Sequence, residues 1–319
     1  MDFIYSIFLG KPIWMWGTFL IIVMFLLMFD LGVLQRRPHE ISIKESLGLS
    51  AFYIILSCLF GGWVWYYLGS NAGKEYFTGF IIEKSLSIDN IFIISLIFSF
   101  FHIPRLYQHR VLFWGVLGVV FLRALMIGLG ATLIGQFEWI LYVFALFLIV
   151  TGVKMLTISE PAVDIKNNLI LKFVKRFFRV TPELHGQNFL VQLPHPKSKK
   201  MVWWLTPLMI ALILIEIIDI AFAIDSVPAI FAITQDPFIV YTSNIFAILG
   251  LRALYFALAA IIHRFKYLKP ALALILIFIG GKVFVADLLG VEKFPASISL
   301  GVTLALLSGG VLVSVFKRG

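Results

Sequence analysis

Two stretches of this sequence place carboxylates at the same spacing among apolar residues. They read Glu83-Lys-Ser-Leu-Ser-Ile-Asp89-Asn90 and Asp219-Ile-Ala-Phe-Ala-Ile-Asp225-Ser226, and Glu216 lies about one helical turn before the second stretch. Carboxylate, amide and hydroxyl oxygens are the ligands that hard divalent cations take in proteins. The two motifs therefore predict the halves of one metal site, formed by Glu83, Asp89, Asn90, Glu216, Asp219, Asp225 and Ser226.

Histidine and cysteine are missing from these motifs, which narrows the choice of cation. The six histidines fall in loops or at predicted helix ends, and Cys58 is the one cysteine of the chain. Zinc and copper favour imidazole and thiolate ligands, so we expect manganese, calcium or magnesium instead. Oxygen ligands suit all three of these cations. The cation is expected as transported cargo, and no separate cofactor is expected.

Four basic residues in the neighbouring apolar stretches are candidates for balancing the charge of the acids or for gating. They are Arg123, Lys154, Arg252 and Lys282. A charged side chain at the bilayer centre costs about 2.5–3.5 kcal/mol on insertion scales, so such residues are expected to be paired or functional. The arginines would either move aside when a cation enters or pair permanently with one carboxylate each. The lysines lie nearer predicted helix ends, from which they would snorkel to the interface.

The composition places these residues inside a membrane. Of 319 residues, 61% are hydrophobic and 13% are charged, whereas a soluble domain carries about 25% charged residues. Apolar runs of about 20 residues match a hydrocarbon core about 30 Å thick, and a helix satisfies its own backbone there. The predicted fold class is an all-α polytopic membrane protein, with nine spans at residues 13–34, 47–69, 77–101, 110–135, 138–157, 204–232, 241–262, 268–288 and 297–316.

The basic residues predict how this bundle is oriented. With nine spans, only Lys11, Lys74 and Lys293 fall on one side, and the other loop lysines and arginines fall on the opposite side. Because basic residues collect in cytoplasmic loops, the N-terminus is expected outside and the C-terminus in the cytoplasm. This asymmetry accounts for the net charge of +9, so nucleic acid is not expected as a partner.

The order of the ionisable residues indicates an internal repeat. The acidic motif recurs once, Leu122-Arg-Ala-Leu125 recurs as Leu251-Arg-Ala-Leu254, and Gly152-Val-Lys154 recurs as Gly280-Gly-Lys282, all at similar separations. With the predicted orientation the two copies cross the membrane in opposite directions, as in many secondary transporters and some channels. We expect one transmembrane domain, 1–319, made of two peripheral helices (13–69), a first inverted repeat of three helices (77–157), a basic cytoplasmic loop (158–203), a second inverted repeat (204–288) and a last helix (297–316).

Helical geometry predicts breaks in the two motif helices. Positions six residues apart lie about 120° apart around a regular helix, so the two acids of one motif do not share a face. We therefore expect breaks near 87–89 and 223–225. Pro228 supports the second break, because it would free the carbonyl of Ile224 as a further ligand.

The basic loop contains an amphipathic pattern. Within 168–179, apolar positions form one helical stripe and four basic residues form the opposite face. This pattern predicts a helix that either lies on anionic membrane lipid or packs against the bundle.

Three motifs together resemble the TerC family, and most closely its Alx-like bacterial members. They are Glu83 to Asn90, then Glu216-x-x-Asp219 with Phe222-Ala-Ile-Asp225-Ser-Val-Pro228-Ala-Ile-Phe231-Ala, and Ser243-Asn-Ile-Phe-Ala-Ile-Leu-Gly-Leu-Arg-Ala253. The resemblance covers nearly the whole chain. It implies a bacterial manganese exporter of the inner membrane, within a wider group of cation and amino-acid exporters. It also implies that the acids of both motifs are metal-site positions.

The predicted function is divalent-cation transport, with manganese efflux first. Protons are a candidate counter-ion, because neighbouring buried carboxylates resist ionising together. Manganese and the outward direction follow from the resemblance alone. Alternatives are export of an organic cation or of an amino acid, whose carboxylate Arg123 or Arg252 would hold, exchange of calcium for protons, and a non-transporting membrane partner. An enzyme is not expected, because no span contains a nucleophile–histidine pair or a His-Glu-x-x-His motif.

Overall fold

The chain folds into a bundle of long helices with two small β-hairpins. A computed structural model describes residues 5–34, 42–137, 139–157, 178–194, 199–258, 267–290 and 294–316, with all their side chains except those of 30–34, 88, 89, 92, 225, 268 and 315. The helices are α1 (Ile13–Leu34), α2 (Ile43–Leu68), α3 (Ser70–Phe100), α4 (Arg105–Gln136), α5 (Ile140–Thr157), α6 (Pro207–Phe231), α7 (Pro237–Leu249), α8 (Leu251–Leu258), α9 (Leu268–Leu288) and α10 (Ala296–Phe316). The antiparallel hairpins are β1 (Ile7–Phe8) with β2 (Lys11–Pro12), and β3 (Leu190–Pro194) with β4 (Met201–Leu205).

The helical, polytopic membrane class predicted from the sequence is confirmed. Six of the described helices are long and apolar enough to cross a membrane, and the bent pair α7–α8 would add a seventh span. In α1 the side chains of Ile13–Phe29 are described, and this part alone is too short to count among the six, and α3 carries the charged motif that begins at Glu83. Helices occupy each of the predicted ranges, but the number of nine spans, the inverted repeats and the orientation stay predictions.

The predicted breaks in the two motif helices are wrong. α3 is unbroken across 87–89, and α6 is unbroken across 223–225, with Pro228 inside its last turn. A proline this close to a helix end removes a hydrogen bond without interrupting a long ladder. The bend lies instead at Gly250, where α7 and α8 meet at 40°. The expectation failed because it required acids six residues apart to converge, whereas residues seven apart share a face of an unbroken helix.

α5 and α9 pack closely, and the contact is the same from either helix. A Cβ atom on Gly152 would lie 2.6 Å from the Ala273 carbonyl oxygen, and one on Gly280 would overlap the Ala145 carbonyl oxygen. Glycine at both positions lets the two backbones approach. Each helix contributes an alanine and, seven positions later, a glycine, and the glycine of one meets the alanine of the other. The two helices therefore run antiparallel.

A β-hairpin precedes α6 in the basic loop, for which the sequence predicts a helix but no strands. β3 pairs with β4 from Leu190↔Leu205 to Pro194↔Met201, and Pro207 then occupies the first turn of α6. A short apolar run such as that of β4 reads equally as the start of a membrane span, so its sequence conceals the strand. The predicted amphipathic helix at 168–179 lies almost wholly outside the described residues.

Candidate cation site

Arg123 of α4 is the centre of a buried polar network inside the bundle. Its side chain is 1% exposed, and its Nη1 atom forms an ion pair with Glu83 of α3 and donates to Ser226 Oγ of α6 at 2.9 Å. Its Nε and Nη2 atoms each donate to the Asp219 carboxylate at 3.3 Å. One guanidinium therefore joins the first acids of both sequence motifs.

Two asparagines complete this network. Asn244 of α7 donates from Nδ2 to Glu83 at 3.0 Å, and its Oδ1 accepts from Arg123 at 3.4 Å. Asn90 of α3 donates from Nδ2 to Asp219 at 3.2 Å. The sequence does not single out Asn244 as a site residue, although an amide inside an apolar span was the available signal. α3 packs against α7 and α4 packs against α6, so four helices surround the guanidinium.

Pairs of residues seven apart bring these groups together without any helix break. Glu83 and Asn90 lie two turns apart on α3, and Asp219 and Ser226 lie two turns apart on α6. Seven residues return to within about 20° of the same direction on an ideal helix. Each unbroken helix therefore contributes an acid and a neutral polar group to the network, although Asn90 reaches it through Asp219 and not through Arg123. Positions 89 and 225, which are Asp89 and Asp225 of the predicted site, have side chains outside the described residues.

Glu216 lies beside the network, against α4. A Cβ atom on Gly118 would overlap the Glu216 carboxylate, so the glycine leaves room for that carboxylate. In the described part of the chain, Glu216 Oε2 and Asn90 Oδ1 are buried without a hydrogen-bond partner. Buried polar atoms are almost always satisfied, so two orphaned acceptors are suited to a cation or to its water ligands.

A small cavity opens at the edge of the network. Its volume is about 20 Å³, and its polar lining is Asn90, Asp219 and Arg252 of α8, with apolar side chains for the rest. A cavity needs about 10–15 Å³ to hold one water, so this space has room for one particle the size of a water molecule. Arg252 is 4% exposed. It corresponds to Arg123 in the repeated sequence, and it lines the same cavity as Asp219, the carboxylate that Arg123 binds.

Arg123 occupies the space between the Glu83 and Asp219 carboxylates. No group of three His, Cys, Asp or Glu side chains close enough to hold a metal ion occurs among the described residues. The site in this conformation is therefore a carboxylate pair closed by a guanidinium. A cation could coordinate Glu83 and Asp219 together only after Arg123 moves.

Comparison with known proteins identifies the family. The profile described as "Integral membrane protein TerC family" matches residues 68–319, which contain the whole network. This chain belongs to the TerC family. A Rickettsia bellii relative named "Uncharacterized membrane protein" is 52% identical over 303 residues, which are 95% of this chain and 97% of the relative.

Two enterobacterial relatives extend the comparison of this TerC protein. The Salmonella typhi and Escherichia coli (strain K12) proteins, each named "Putative membrane-bound redox modulator Alx", are both 42% identical to it, over 316 and 307 residues. These alignments cover 96% and 93% of this chain, and 95% and 92% of the relatives. Comparison with solved structures gave no match.

The two lysines predicted to balance charge or to gate lie away from the network of this TerC protein. Lys154 is exposed in the last turn of α5, where it can snorkel as expected. Lys282 is 6% exposed and donates to Ser299 Oγ of α10 at 3.1 Å, so the snorkelling expected of it is wrong. The two lysines differ because α10 packs against α9 and covers Lys282. Lys282 also lines a second cavity of about 240 Å³, together with Glu75 and Asp287.

Proposed function

We propose that this TerC protein transports divalent metal cations, with manganese efflux across the bacterial inner membrane as its function. The observation that carries the proposal is the convergence of both acidic motifs on Arg123, a positive charge of the protein itself. Manganese and the outward direction are favoured by the family resemblance. The proposed ligands are drawn from Glu83, Asp89, Asn90, Glu216, Asp219, Asp225 and Ser226.

The balance of charge supports a cation as cargo. Three described carboxylates surround two arginines: Glu83, Glu216 and Asp219, with Arg123 and Arg252. When all five are ionised they carry one surplus negative charge, which the Lys84 ammonium on the same turn of α3 as Glu83 balances. The acids at positions 89 and 225, which are ligands in this proposal, would make the site negative, and surplus charge in a low-dielectric interior favours binding of an ion of opposite sign.

In this proposal, the Arg123 guanidinium occupies the place that the transported cation would take. By the predicted orientation, the small cavity leads from Asn90 past Ile94 and Leu112, nearer the cytoplasmic ends of α3 and α4. An entering cation would reach Asp219 there and compete with Arg123 for its carboxylate. Release of the guanidinium would then open Glu83 to the ion, and rocking of the two repeats would open the site outward.

We also propose that the bundle has nine spans and contains two inverted repeats. The reciprocal contact between α5 and α9 supports it, because Gly152 and Gly280 are counterparts in the repeated sequence and make equivalent contacts. An antiparallel pair of equivalent helices is what a pseudo-two-fold axis in the membrane plane produces.

Manganese flux in proteoliposomes tests the function. We expect the purified protein to carry Mn²⁺ across the membrane, and imposing or removing a pH gradient would show whether protons are exchanged. Asp219→Asn should abolish the flux, as should Asp89→Asn and Asp225→Asn, while Glu183→Gln, at an exposed loop position, should not. Flux at wild-type level in Asp219→Asn would show that the site is misassigned.

An amino acid is the second candidate cargo, because Arg252 and Asp219 share one cavity and could hold a carboxylate and an ammonium. The cavity volume of about 20 Å³ opposes it, since that space accepts one water-sized particle in this conformation. Isothermal titration of the purified protein with manganese and with amino acids separates the two cargoes.

The name of the enterobacterial relatives contains the words "redox modulator", so a redox function is weighed against cation transport. Internal thiol–disulfide exchange requires two cysteines. This chain has one, Cys58, which is exposed on α2. The sequence thus favours cation transport over a dithiol mechanism within the chain.

A further inference from the structure

The bend between α7 and α8 separates two residues of the site. Asn244 of α7 binds Glu83, and Arg252 of α8 lines the small cavity. Gly250 lies between them, and its amide donates to the carbonyl of Ile248, only two residues back. The position of Arg252 relative to the network therefore depends on how this bend is held.

Lys84 holds a carbonyl next to the bend. Its Nζ atom donates to the Ala247 carbonyl at 3.0 Å, a carbonyl that the amide of Leu251 would bond in an unbroken helix. A Cβ atom on Gly250 would lie 2.9 Å from the same Nζ atom and 3.0 Å from Tyr53 Cβ. Glycine at the bend therefore leaves the space that the ammonium occupies.

The charge of Lys84 suits this position. The carbonyls at a helix C-terminus carry a partial negative charge, and lysine side chains commonly bond them. Broken helices of transporters use such carbonyls to bind coupling cations. Here an ammonium of the protein itself occupies that place at the end of α7.

Lys84 also follows Glu83 in the sequence, so one turn of α3 binds α7 twice. Glu83 accepts from the Asn244 side chain, and Lys84 donates to the backbone three residues further on, at Ala247. We propose that Lys84 is a positioning residue: its hydrogen bond to Ala247, the Lys84 clamp, fixes the bend and couples the state of Glu83 to the placement of Arg252. The coupling to transport rests on the function proposed above.

α2 contributes further contacts to the same bend. Ser46 donates to the carbonyl of Ala253 on α8, and Ser57 Oγ lies 3.5 Å from the carbonyl of Phe246 on α7. These serines hold the two sides of the bend from outside the repeats. Lys84 differs from these two serines because it belongs to the helix that carries the first acidic motif, so its contact links that motif to the bend.

Two substitutions break the clamp from opposite sides. Lys84→Met removes the donor, and Gly250→Ala places a methyl group where the ammonium lies. Lys200→Met, at an exposed lysine next to β4, and Gly281→Ala, where a Cβ meets nothing within 4 Å, are the controls. Each purified variant is measured for amide hydrogen exchange in 246–258, for Mn²⁺ affinity by titration and for Mn²⁺ flux in proteoliposomes.

Both clamp variants should raise exchange in 246–258 and lower flux about tenfold, the loss expected for one charge-assisted hydrogen bond. Mn²⁺ affinity should stay within about threefold of wild type. The double variant should lose no more flux than Gly250→Ala alone, because that substitution already displaces the ammonium and also presses on Tyr53 Cβ. Unchanged exchange in Lys84→Met, or affinity that falls in parallel with flux, would overturn the proposal. If the wild-type protein carries no flux, the transport function fails, and the exchange measurement still decides whether Lys84 holds the bend.

Discussion

Arg123 holds the Asp219 carboxylate from the side, with Nε and Nη2 each at 3.3 Å from one of its two oxygens. This two-point contact leaves Nη1 to bind Glu83 and Ser226. All three nitrogens of the guanidinium are therefore engaged, and their partners lie on three helices, since Nη1 also donates to Asn244 of α7. A lysine could not reproduce this arrangement, because an ammonium is a single point of charge on a flexible stem.

Removal of Arg123 should make stability depend on metal. Arg123→Met leaves two buried carboxylates without their cation, which should lower the free energy of unfolding by about 3–5 kcal/mol in the absence of metal. Mn²⁺ should restore much of this loss, because it no longer competes with the guanidinium. Unfolding in detergent with and without Mn²⁺ measures both effects.

The control for this prediction is Arg105→Met, at an exposed arginine in the first turn of α4. It should change neither the free energy of unfolding nor its response to Mn²⁺. An Arg123→Met protein that gains no more stability from Mn²⁺ than wild type would contradict the idea that arginine and cargo share one place.

Gly118→Ala should weaken cation binding while leaving the fold intact. The added methyl group would overlap the Glu216 carboxylate, and a flexible side chain can move away at little cost in stability. Displacing a carboxylate from the edge of the site should lower Mn²⁺ affinity about tenfold. Gly115→Ala is the matched control one turn earlier, because its Cβ would meet Ile215 and Leu212 at 3.7 and 3.8 Å, ordinary contact distances. Equal affinities of the two variants would remove Glu216 from the site.

The sequence predicts the main groups of this site but not their geometry. Spacing and charge single out Glu83, Asp219 and Arg123, because ionised residues inside an apolar span stand out from their surroundings. The sequence does not identify Asn244 as a site residue, because an uncharged amide stands out less than an ionised group among apolar residues. It does not identify the bend at Gly250 either, because glycines are frequent in membrane helices and most do not mark a break.

The helix positions are likewise more predictable than their contacts. Apolar runs place a helix in each predicted range, because length and hydropathy decide where a helix can lie, although α3 begins seven residues before the predicted 77. They do not reveal which face meets another helix, because lipid and protein interior are equally apolar. The burial of Lys282 under α10 is an example: nothing in the sequence of α9 indicates that a later helix covers it.

The predicted orientation can be tested with single cysteines in a Cys58→Ser background. Asp287, at the end of α9, and Lys200, next to β4, are both exposed. Because basic loops stay in the cytoplasm, a membrane-impermeant maleimide should label Asp287→Cys in intact cells. It should label Lys200→Cys only after permeabilisation. The reverse pattern would invert the topology and with it the direction assigned to the small cavity.

The reciprocal contact of α5 and α9 predicts equal effects from two distant glycines. Gly152→Ala and Gly280→Ala each place a methyl group against a backbone carbonyl, of Ala273 and of Ala145, and a backbone cannot rotate away as a side chain can. Overpacking of this kind costs about 1–3 kcal/mol, so both variants should lose that much free energy of unfolding. Gly281→Ala, the next residue on α9, meets nothing within 4 Å and should lose little. Thermal unfolding of the three variants measures the losses. A large loss in only one of Gly152→Ala and Gly280→Ala would show that the two sides of the contact are not equivalent, and it would remove the structural support for inverted repeats.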